Sequence, residues 1–197
     1  MDPSHADPLD GSSTRRPRAQ VEELVVLCDP EGRPTGVSPK AEVHTRDTPV
    51  HRAFSCYVVD GAGDLLLTRR ALSKVTWPGV WTNSVCGHLL PGESEEDAAR
   101  RRLRQELGVE VAPDATFETV LPRFSYRATD ASGTVENEFC PVLVLNLDQR
   151  PEVSPDPTEV MEWRWAPLSR TRGAVAAAPF AFSPWMVAQL EGWAVSP

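Results

Sequence analysis

Short apolar runs separated by turn residues recur along this chain, a pattern that is typical of β-strands in a layered fold. Residues 22–28 and 53–59 form two such runs, and residues 29–32 predict a turn after the first. Residues 60–63 (DGAG) predict a hairpin turn that leads into a third strand over residues 65–68. These runs indicate a sheet in the first third of the chain.

The second half of the chain shows fewer but longer patterns. Residues 77–81 predict a Trp-Pro-Gly loop, and residues 84–86 predict a short extended piece. One long strand is expected over residues 136–147 and a shorter one over residues 163–165. A helix is expected near the C-terminus, over residues 184–193.

One further segment shows the helical period clearly. Ala99, Leu103 and Leu107 lie on one face of a helix predicted over residues 94–107. Acidic residues crowd its first turn and arginines follow, which is the order that the helix dipole favours, and Gly108 is placed to end it. Strands mixed with a few helices predict one layered α/β domain.

Composition narrows the possible functions. The 197 residues carry 28 acidic and 20 basic side chains, a net charge of −8, so a nucleic-acid partner is not expected. No apolar run approaches the roughly 18 residues that a transmembrane helix needs, and the first thirty residues lack a signal-peptide core. We expect a cytoplasmic protein that does not bind membranes. Since no extended apolar stripe demands a partner, we expect a monomer.

The N-terminal segment and the cysteines complete this outline. Residues 1–20 are rich in Asp, Pro, Ser and Arg and offer little to bury, so they predict a disordered extension before a domain over residues 21–195.

The sequence has no CxxC pair, which argues against a zinc ribbon or a thioredoxin-type site. Free thiols in a reducing compartment are expected at Cys28, Cys56, Cys86 and Cys140.

The predicted helix carries most of a Nudix box, the motif G-x5-E-x7-R-E-U-x-E-E-x-G-U. The matching positions are Gly87, Glu93, Arg101, Leu103, Glu106, Gly108 and Val109. Arg102 and Gln105 stand where the box has glutamates. A diphosphate hydrolase generally holds Mg²⁺ with a cluster of carboxylates, and Glu106 alone is a poor cluster. The pattern therefore favours a Nudix-like fold and disfavours a diphosphate hydrolase.

Histidines and glutamates offer candidate metal ligands. Three His and two Glu that could converge are His44, His51, His88, Glu136 and Glu138. Glu136 and Glu138 share one face of their strand, and so do Cys86 and His88. Taken singly, each of the five also suits a surface position or an ordinary hydrogen bond. Together they would suit a divalent ion such as Mn²⁺ or Zn²⁺.

Cations cluster in two predicted loops. Arg70 and Lys74 lie between a strand and the Trp-Pro-Gly loop, and Lys40 lies upstream. Such a group suits an anionic ligand such as a diphosphate, although a solvated loop explains each residue equally well.

Several strings, in order and with compatible spacing, resemble the type I isopentenyl-diphosphate Δ-isomerase family. They are KAEVHTRDTPVH (40–51), TRRALSK (68–74), WPGVWTNSVCGH (77–88), SYRATD (125–130), ENEFCPV (136–142) and AFSPWM (181–186). The similarity spans residues 24–189. It implies a single-domain, Nudix-like α/β/α sandwich with a mixed β-sheet, and it accounts for the degenerate box. The implied reaction converts isopentenyl diphosphate to dimethylallyl diphosphate.

The resemblance also implies a role for each matching residue. It implies that an active-site Mn²⁺, Mg²⁺ or Zn²⁺ is bound by His44, His51, His88, Glu136 and Glu138. It implies that Glu106 helps to hold a Mg²⁺ ion that bridges to the substrate. Contacts with the diphosphate are implied for Lys40, Arg70, Lys74 and Arg102. Cys86 and Glu138 are implied as the catalytic pair, with Tyr126 assisting and Trp185 at the hydrocarbon end.

The reaction explains these residue types. Protonating an unactivated alkene produces a tertiary carbocation, so the pocket must exclude water and offer a proton donor and an acceptor. An aromatic face stabilises the cation. Our hypothesis is that Glu138, assisted by Tyr126, donates and Cys86 accepts, although the sequence leaves the reverse assignment open.

Three alternatives also stay open at this stage. Cys86 could be a buried structural thiol, which is the usual role of a cysteine. The protein could be a Nudix diphosphohydrolase, which the missing carboxylates disfavour. It could also be a non-catalytic module that binds a diphosphate, for which the pair of Cys86 and Glu138 would be unnecessary.

Overall fold

One strand, β3 (His51–Val59), organises the sheet of the computed structural model, which describes residues 23–193. Along one edge it is parallel first to β9 (Val135–Phe139) and then to β10 (Val142–Asn146). Along the other edge it is antiparallel to β1 (Leu24–Cys28), which pairs with its first residue. The predicted N-terminal extension over residues 1–20 lies outside the described residues, as do positions 21, 22, 194 and 195 of the predicted domain.

The remaining strands extend this arrangement. β6 (Val85–His88) and β4 (Asp64–Arg70) pair with the middle and the end of β3. The others are β2 (Pro34–Pro39) beside β1, β5 (Trp81–Thr82) and β11 (Val160–Pro167) beside β4, β7 (Phe117–Leu121) beside β10, and β8 (Ser125–Thr129) beside β9.

Within residues 23–193, four α-helices lie among these strands: α1 (Lys40–Val43), α2 (Glu95–Leu107), α3 (Leu168–Ala177) and α4 (Pro184–Gly192). A 3₁₀-helix spans Pro179–Ala181. The predicted helix start is confirmed, because the Ser94 side chain accepts a hydrogen bond from the Asp97 backbone N–H. Its predicted end is confirmed as well: Gly108 takes a left-handed conformation (φ 64°) and its N–H closes the last turn.

Side chains of β3 alternate between two apolar layers. Phe54, Cys56 and Val58 enter a buried cluster that also contains the apolar face of α2. Tyr57 enters a second cluster, which contains Trp185 and other residues of α4. Helices therefore cover both faces of a mixed sheet, and the predicted single-domain α/β/α sandwich of the Nudix type is confirmed.

The single strand predicted over residues 136–147 is wrong, because the chain forms two strands there. Pro141 has no backbone N–H to donate, and its carbonyl accepts a hydrogen bond from the Ser55 N–H at 3.0 Å. The Cys140 N–H donates to the Phe124 carbonyl instead, at 2.8 Å. This break lets β9 pair with β8 while β10 pairs with β7.

Several elements were not expected from the pattern, namely β2, β5, β7, β8, α1, α3 and the 3₁₀-helix. The first four residues of β2 are exposed, so it shows no alternation of buried and exposed positions. None of the helices within residues 23–193 is long and apolar enough to cross a bilayer.

Candidate active site

A cavity of about 930 Å³ opens beside β3 on the face that α4 covers. Most of the site residues predicted from the sequence line it: Lys40, His44, Arg70, Lys74, Cys86, His88, Arg102, Tyr126, Glu136, Glu138 and Trp185. The remaining two lie behind its wall, where His51 contacts the other histidines and Glu106 contacts Arg102. The structure therefore brings all of these predicted residues into or beside one cavity.

Strand register brings the histidines together. His51 begins β3 and lies opposite Glu138 of β9, while His88 ends β6 and lies opposite Ala53 of β3. His44 follows α1, and the three ring centroids are 4.8 to 5.2 Å apart. One donor atom from each ring and one oxygen of Glu136 all lie within 4.8 Å of one another. These residues form a compact nitrogen and oxygen donor group, which we call the histidine cluster.

Hydrogen bonds outside the histidine cluster orient its members. The Nδ1 atom of His51 lies 3.0 Å from the Pro49 carbonyl, and because a carbonyl only accepts, Nδ1 carries the proton and Nε2 faces the cluster. The Thr76 hydroxyl donates to Glu136 Oε1 at 2.8 Å, which leaves Oε2 at 3.1 Å from His44 Nε2. Thr76 was not predicted, since a threonine in a loop gives no sequence signal of this role.

The histidine cluster fits a divalent metal ion. Within the described residues, the buried atoms His44 Nε2, His51 Nε2 and Glu136 Oε2 form no hydrogen bond, although the first and the last lie 3.1 Å apart. Buried polar atoms without partners are costly, and metal coordination is one way to satisfy them. Burial lowers the pKa of His88 to about 4, so this ring is a neutral, ligand-competent imidazole at neutral pH.

Glu138 lies at the edge of the histidine cluster. Its Oε1 is 3.3 Å from His88 Nε2 and 3.7 Å from His51 Nε2. Burial alone would raise the pKa of Glu138, but the two imidazoles hold it well below its usual range. Tyr126 lies opposite Glu138 in the β8–β9 pair. Burial, with Glu138 nearby, raises the pKa of Tyr126 far above its usual value, so the phenol stays protonated.

Cys86 lies on β6, two residues before His88 and directly opposite Ser55 of β3. Burial raises the pKa of the Cys86 thiol to about 12, and Arg70 opposes this effect. Cys86 and Glu138 line the same cavity, which is the arrangement that a proton donor and a proton acceptor require.

Aromatic side chains form one end of the cavity. Trp185 packs edge-on against Trp77 with ring centroids 5.6 Å apart, and it lies 5.7 Å from the Tyr126 ring. Its indole N–H donates to Asn83 Oδ1 at 3.1 Å. The hydroxyl of Ser183, which caps α4, is 2.8 Å from that of Thr82. We did not predict Asn83, Thr82 or Ser183 as residues that fix the position of this end.

Cations line a second part of the cavity wall, which we call the cation end. Lys40 Nζ lies 3.0 Å from both carboxylate oxygens of Glu23, and Lys74 Nζ lies 2.5 Å from Glu159 Oε2. Arg70 donates to two backbone carbonyls, those of Thr76 at 2.8 Å and Trp77 at 3.1 Å, and its guanidinium lies 5.3 Å from the Trp185 ring. This end combines positive charge with fixed hydrogen-bond donors.

Helix α2 contributes Arg102 and Glu106 to the same end. Arg102 Nη2 lies 2.5 Å from Glu106 Oε1, and both side chains are about one tenth exposed. Burial raises the pKa of Glu106, and Arg102 opposes this effect. A Cβ at Gly87 would lie 3.3 Å from Arg102 Nε, so glycine there leaves room for the guanidinium. Glu106 therefore lies at the cation end rather than in the histidine cluster.

Comparisons with known proteins identify the family of this chain. Residues 49–186 match the NUDIX domain. The chain is 55% identical over 169 residues to an isopentenyl-diphosphate Delta-isomerase of Corynebacterium glutamicum, covering 86% of this chain and 89% of that protein. It is 54% identical over 169 residues to a protein of the same name from Corynebacterium diphtheriae, covering 86% and 92%.

Solved structures support the fold. A Deinococcus radiodurans crystal structure superposes with a TM-score of 0.68 at 22% identity, covering 88% of this chain and 100% of that one. A MutT protein from Methanosarcina mazei superposes with a TM-score of 0.59 at 17% identity, covering 74% and 93%. At such low identity these two likenesses bear on the fold alone.

Proposed function

This chain belongs to the NUDIX domain family and, within it, to the isopentenyl-diphosphate Delta-isomerases, and from that premise we propose how its cavity performs the reaction. The reaction interconverts isopentenyl diphosphate and dimethylallyl diphosphate by moving a carbon–carbon double bond. One observation supports the assignment of residues: Cys86 and Glu138 line one cavity whose wall also contains cationic and aromatic side chains. A substrate with a charged head and a five-carbon hydrocarbon tail matches both ends.

The cation end binds the diphosphate in this proposal. Lys40 reaches this end from the start of α1, Arg70 and Lys74 reach it from the end of β4 and the loop that follows, and Arg102 joins them from α2. Guanidinium and ammonium groups form strong, charge-assisted hydrogen bonds with phosphate oxygens. The hydrocarbon then extends toward Trp185, whose ring face stabilises the positive charge that develops on the tertiary carbon.

Cys86 and Glu138 move the protons. Tyr126 keeps its proton, so the pair of Tyr126 and Glu138 holds a proton beside the alkene even though the imidazoles favour an ionised Glu138. This pair donates a proton to the terminal CH₂ carbon of the alkene, and a tertiary cation results. Cys86 removes a proton from the CH₂ carbon on the diphosphate side of the tertiary carbon, and the new double bond forms between these two carbons. Because burial raises the pKa of the Cys86 thiol to about 12, the base in this step is a minor thiolate population. Arg70 and Lys74 oppose the burial that disfavours this thiolate.

Divalent metals complete the site. We assign Mn²⁺ or Zn²⁺ to the histidine cluster with Glu138 as a further ligand, and Mg²⁺ to the diphosphate near Glu106. A divalent ion supplies positive charge that acidifies a bound carboxyl group and neutralises phosphate oxygens. The unpartnered nitrogen and oxygen atoms of the histidine cluster support the first assignment.

Incubation with isopentenyl diphosphate and Mg²⁺ in deuterated water tests the proposal. We expect dimethylallyl diphosphate that carries deuterium, because the proton delivered to the alkene exchanges with solvent. Release of free phosphate would instead indicate a diphosphohydrolase, and unchanged substrate would indicate a binding module. Either result would reject the isomerase assignment.

We also propose that the protein acts as a cytoplasmic monomer. All four cysteines are free thiols, which suits a reducing compartment. Gel filtration with light scattering tests the monomer, which predicts the mass of one chain.

A further inference from the structure

We infer that Glu159 is a built-in counter-ion of the cation end. Its carboxylate pairs with the cations until a diphosphate displaces it. This inference rests on the proposed function for the identity of the ligand. It assigns to Glu159 a part in determining affinity and charge selectivity, and neither the Nudix motif nor the predicted site residues include this position.

The contacts of Glu159 support this role. Its Oε2 lies 2.5 Å from Lys74 Nζ and its Oε1 lies 3.5 Å from Arg102 Nη2, so one carboxylate is shared by two cations from different elements. The side chain lines the cavity and is about one quarter exposed. Lys74 and Arg102 hold the pKa of Glu159 below its usual range against the effect of burial, so it is ionised at neutral pH.

The backbone fixes Glu159 in this position. The Glu159 carbonyl accepts a hydrogen bond from the Ala71 N–H at 2.9 Å, and the Glu159 N–H donates to the Asp156 carbonyl at 3.0 Å. The Thr158 carbonyl accepts from the Ser73 hydroxyl at 3.0 Å. Glu159 is thus attached to the segment that carries Lys74, and the carboxylate is placed where a phosphate oxygen would contact the same ammonium group.

The other two carboxylates of the cation end are placed differently. Glu106 contacts Arg102 and does not line the cavity, and among residues 23–193 Glu23 forms a salt bridge with Lys40 only. Among the described cations that line this end, Arg70 is held by carbonyl oxygens rather than by a carboxylate. A diphosphate that reaches Lys74 must therefore compete with Glu159, whereas at Arg102 it meets Glu106 at 2.5 Å as well as Glu159 at 3.5 Å.

Electrostatics gives the direction of the effect. A diphosphate monoester is strongly anionic, so Glu159 both competes for its partners and repels it across a few ångströms. Removing this charge should strengthen anion binding, whereas removing a cation would weaken it. Because substrate and product carry the same diphosphate, tighter binding of both lowers KM without raising kcat.

Calorimetric titration of the full chain with inorganic pyrophosphate, with and without Mg²⁺, tests the inference. We expect Glu159→Gln to lower the Kd for pyrophosphate by about three- to tenfold in low salt, with a smaller change in high salt. The dependence of the Kd on Mg²⁺ should also shrink, because a divalent cation offsets the same negative charge. Glu159→Asp retains the charge and should keep the Kd close to that of the unmodified protein.

Glu162→Gln is a matched control. Glu162 is also shared by two cations, with Arg164 at 2.8 Å and Arg69 at 3.5 Å, but it lies outside the residues that line the cavity. This variant should leave the Kd for pyrophosphate unchanged. Thermal unfolding of each variant checks that a changed Kd does not come from misfolding.

Two outcomes would overturn the inference. An unchanged Kd in a folded Glu159→Gln variant would show that Glu159 does not compete with the ligand. A higher Kd for pyrophosphate in the Glu159→Gln variant in the presence of Mg²⁺ would show that Glu159 binds the metal or orients Lys74. Neither readout depends on turnover, so failure of the isomerase assignment in deuterated water would be recognised separately.

Discussion

The two faces of strand β3 bury very different side chains. On the α2 face, Phe54, Cys56 and Val58 enter a cluster of apolar residues. On the α4 face, Ser55 and Tyr57 are equally buried but polar, and both contact the Gln189 side chain, which accepts from the Tyr57 hydroxyl at 2.9 Å and donates to the Ser55 hydroxyl at 2.8 Å.

This comparison shows what separates a structural face from a functional one. The polar groups of Ser55 and Tyr57 on the α4 face each form a hydrogen bond with Gln189. In the histidine cluster, by contrast, several buried nitrogen and oxygen atoms form no hydrogen bond. The α2 face has no such requirement, since apolar packing is non-directional. We therefore expect mutations of the polar groups on the α4 face to affect chemistry, and mutations of the apolar cluster on the α2 face to affect stability.

The largest effect is expected for Cys86→Ala on the α4 face. Turnover should fall by on the order of 10⁴-fold, because the group that exchanges a proton with the substrate is lost. The melting temperature and the metal content should stay unchanged, as measured by circular dichroism and atomic emission. Near-normal activity in this variant would reject the role assigned to Cys86.

The opposite pattern is expected for Leu103→Ala on the α2 face. Leu103 is fully buried in the cluster under α2, so its truncation should lower the free energy of unfolding by about 3 kcal/mol, through lost burial and a residual cavity. Urea denaturation measures this change, and activity per folded molecule should be retained. A selective loss of kcat without a loss of stability would break the distinction between the faces.

A smaller effect is expected for Thr76→Val, which removes the hydroxyl that supports Glu136. Affinity of the histidine cluster for Mn²⁺ should weaken by about tenfold, because a ligand whose outer hydrogen bond is lost is less well oriented. Competition with a fluorescent chelator measures the affinity. Thr129→Val, at an exposed position of β8, is the control and should leave the affinity unchanged.

No effect is expected from removing residues 1–20. The resemblance on which the site assignment rests begins after this segment, so kcat and KM should match those of the full chain. A large loss of turnover in the shortened protein would show that the site extends beyond the two faces of β3.

Prediction from the sequence succeeded where one continuous segment carries the pattern. Helix α2 has its apolar stripe, cap and terminal glycine within consecutive residues, so its limits could be read directly. The two-residue spacing of Glu136 and Glu138 likewise placed both side chains toward one cavity. Family resemblance supplied the grouping of the three histidines, which their spacing alone left open.

The remainder depends on contacts between distant segments. The expected long strand is interrupted at Pro141. The part before it, β9, pairs with β8, and the part after it, β10, pairs with β7. Thr76 and Glu159 lie in connections between strands, and only the fold brings them to Glu136 and Lys74. A local pattern cannot report such contacts, since they are set by strand register.

The parallel pairing of β3 with β9 and β10 also bears on how the protein is made. His51 leaves the ribosome long before Glu138, its partner across the sheet, and α4 is synthesised later still. Pairing of strands so far apart in the chain is slow, because a long loop must close first. We therefore expect the cavity to be completed late in folding, once nearly the whole polypeptide is available.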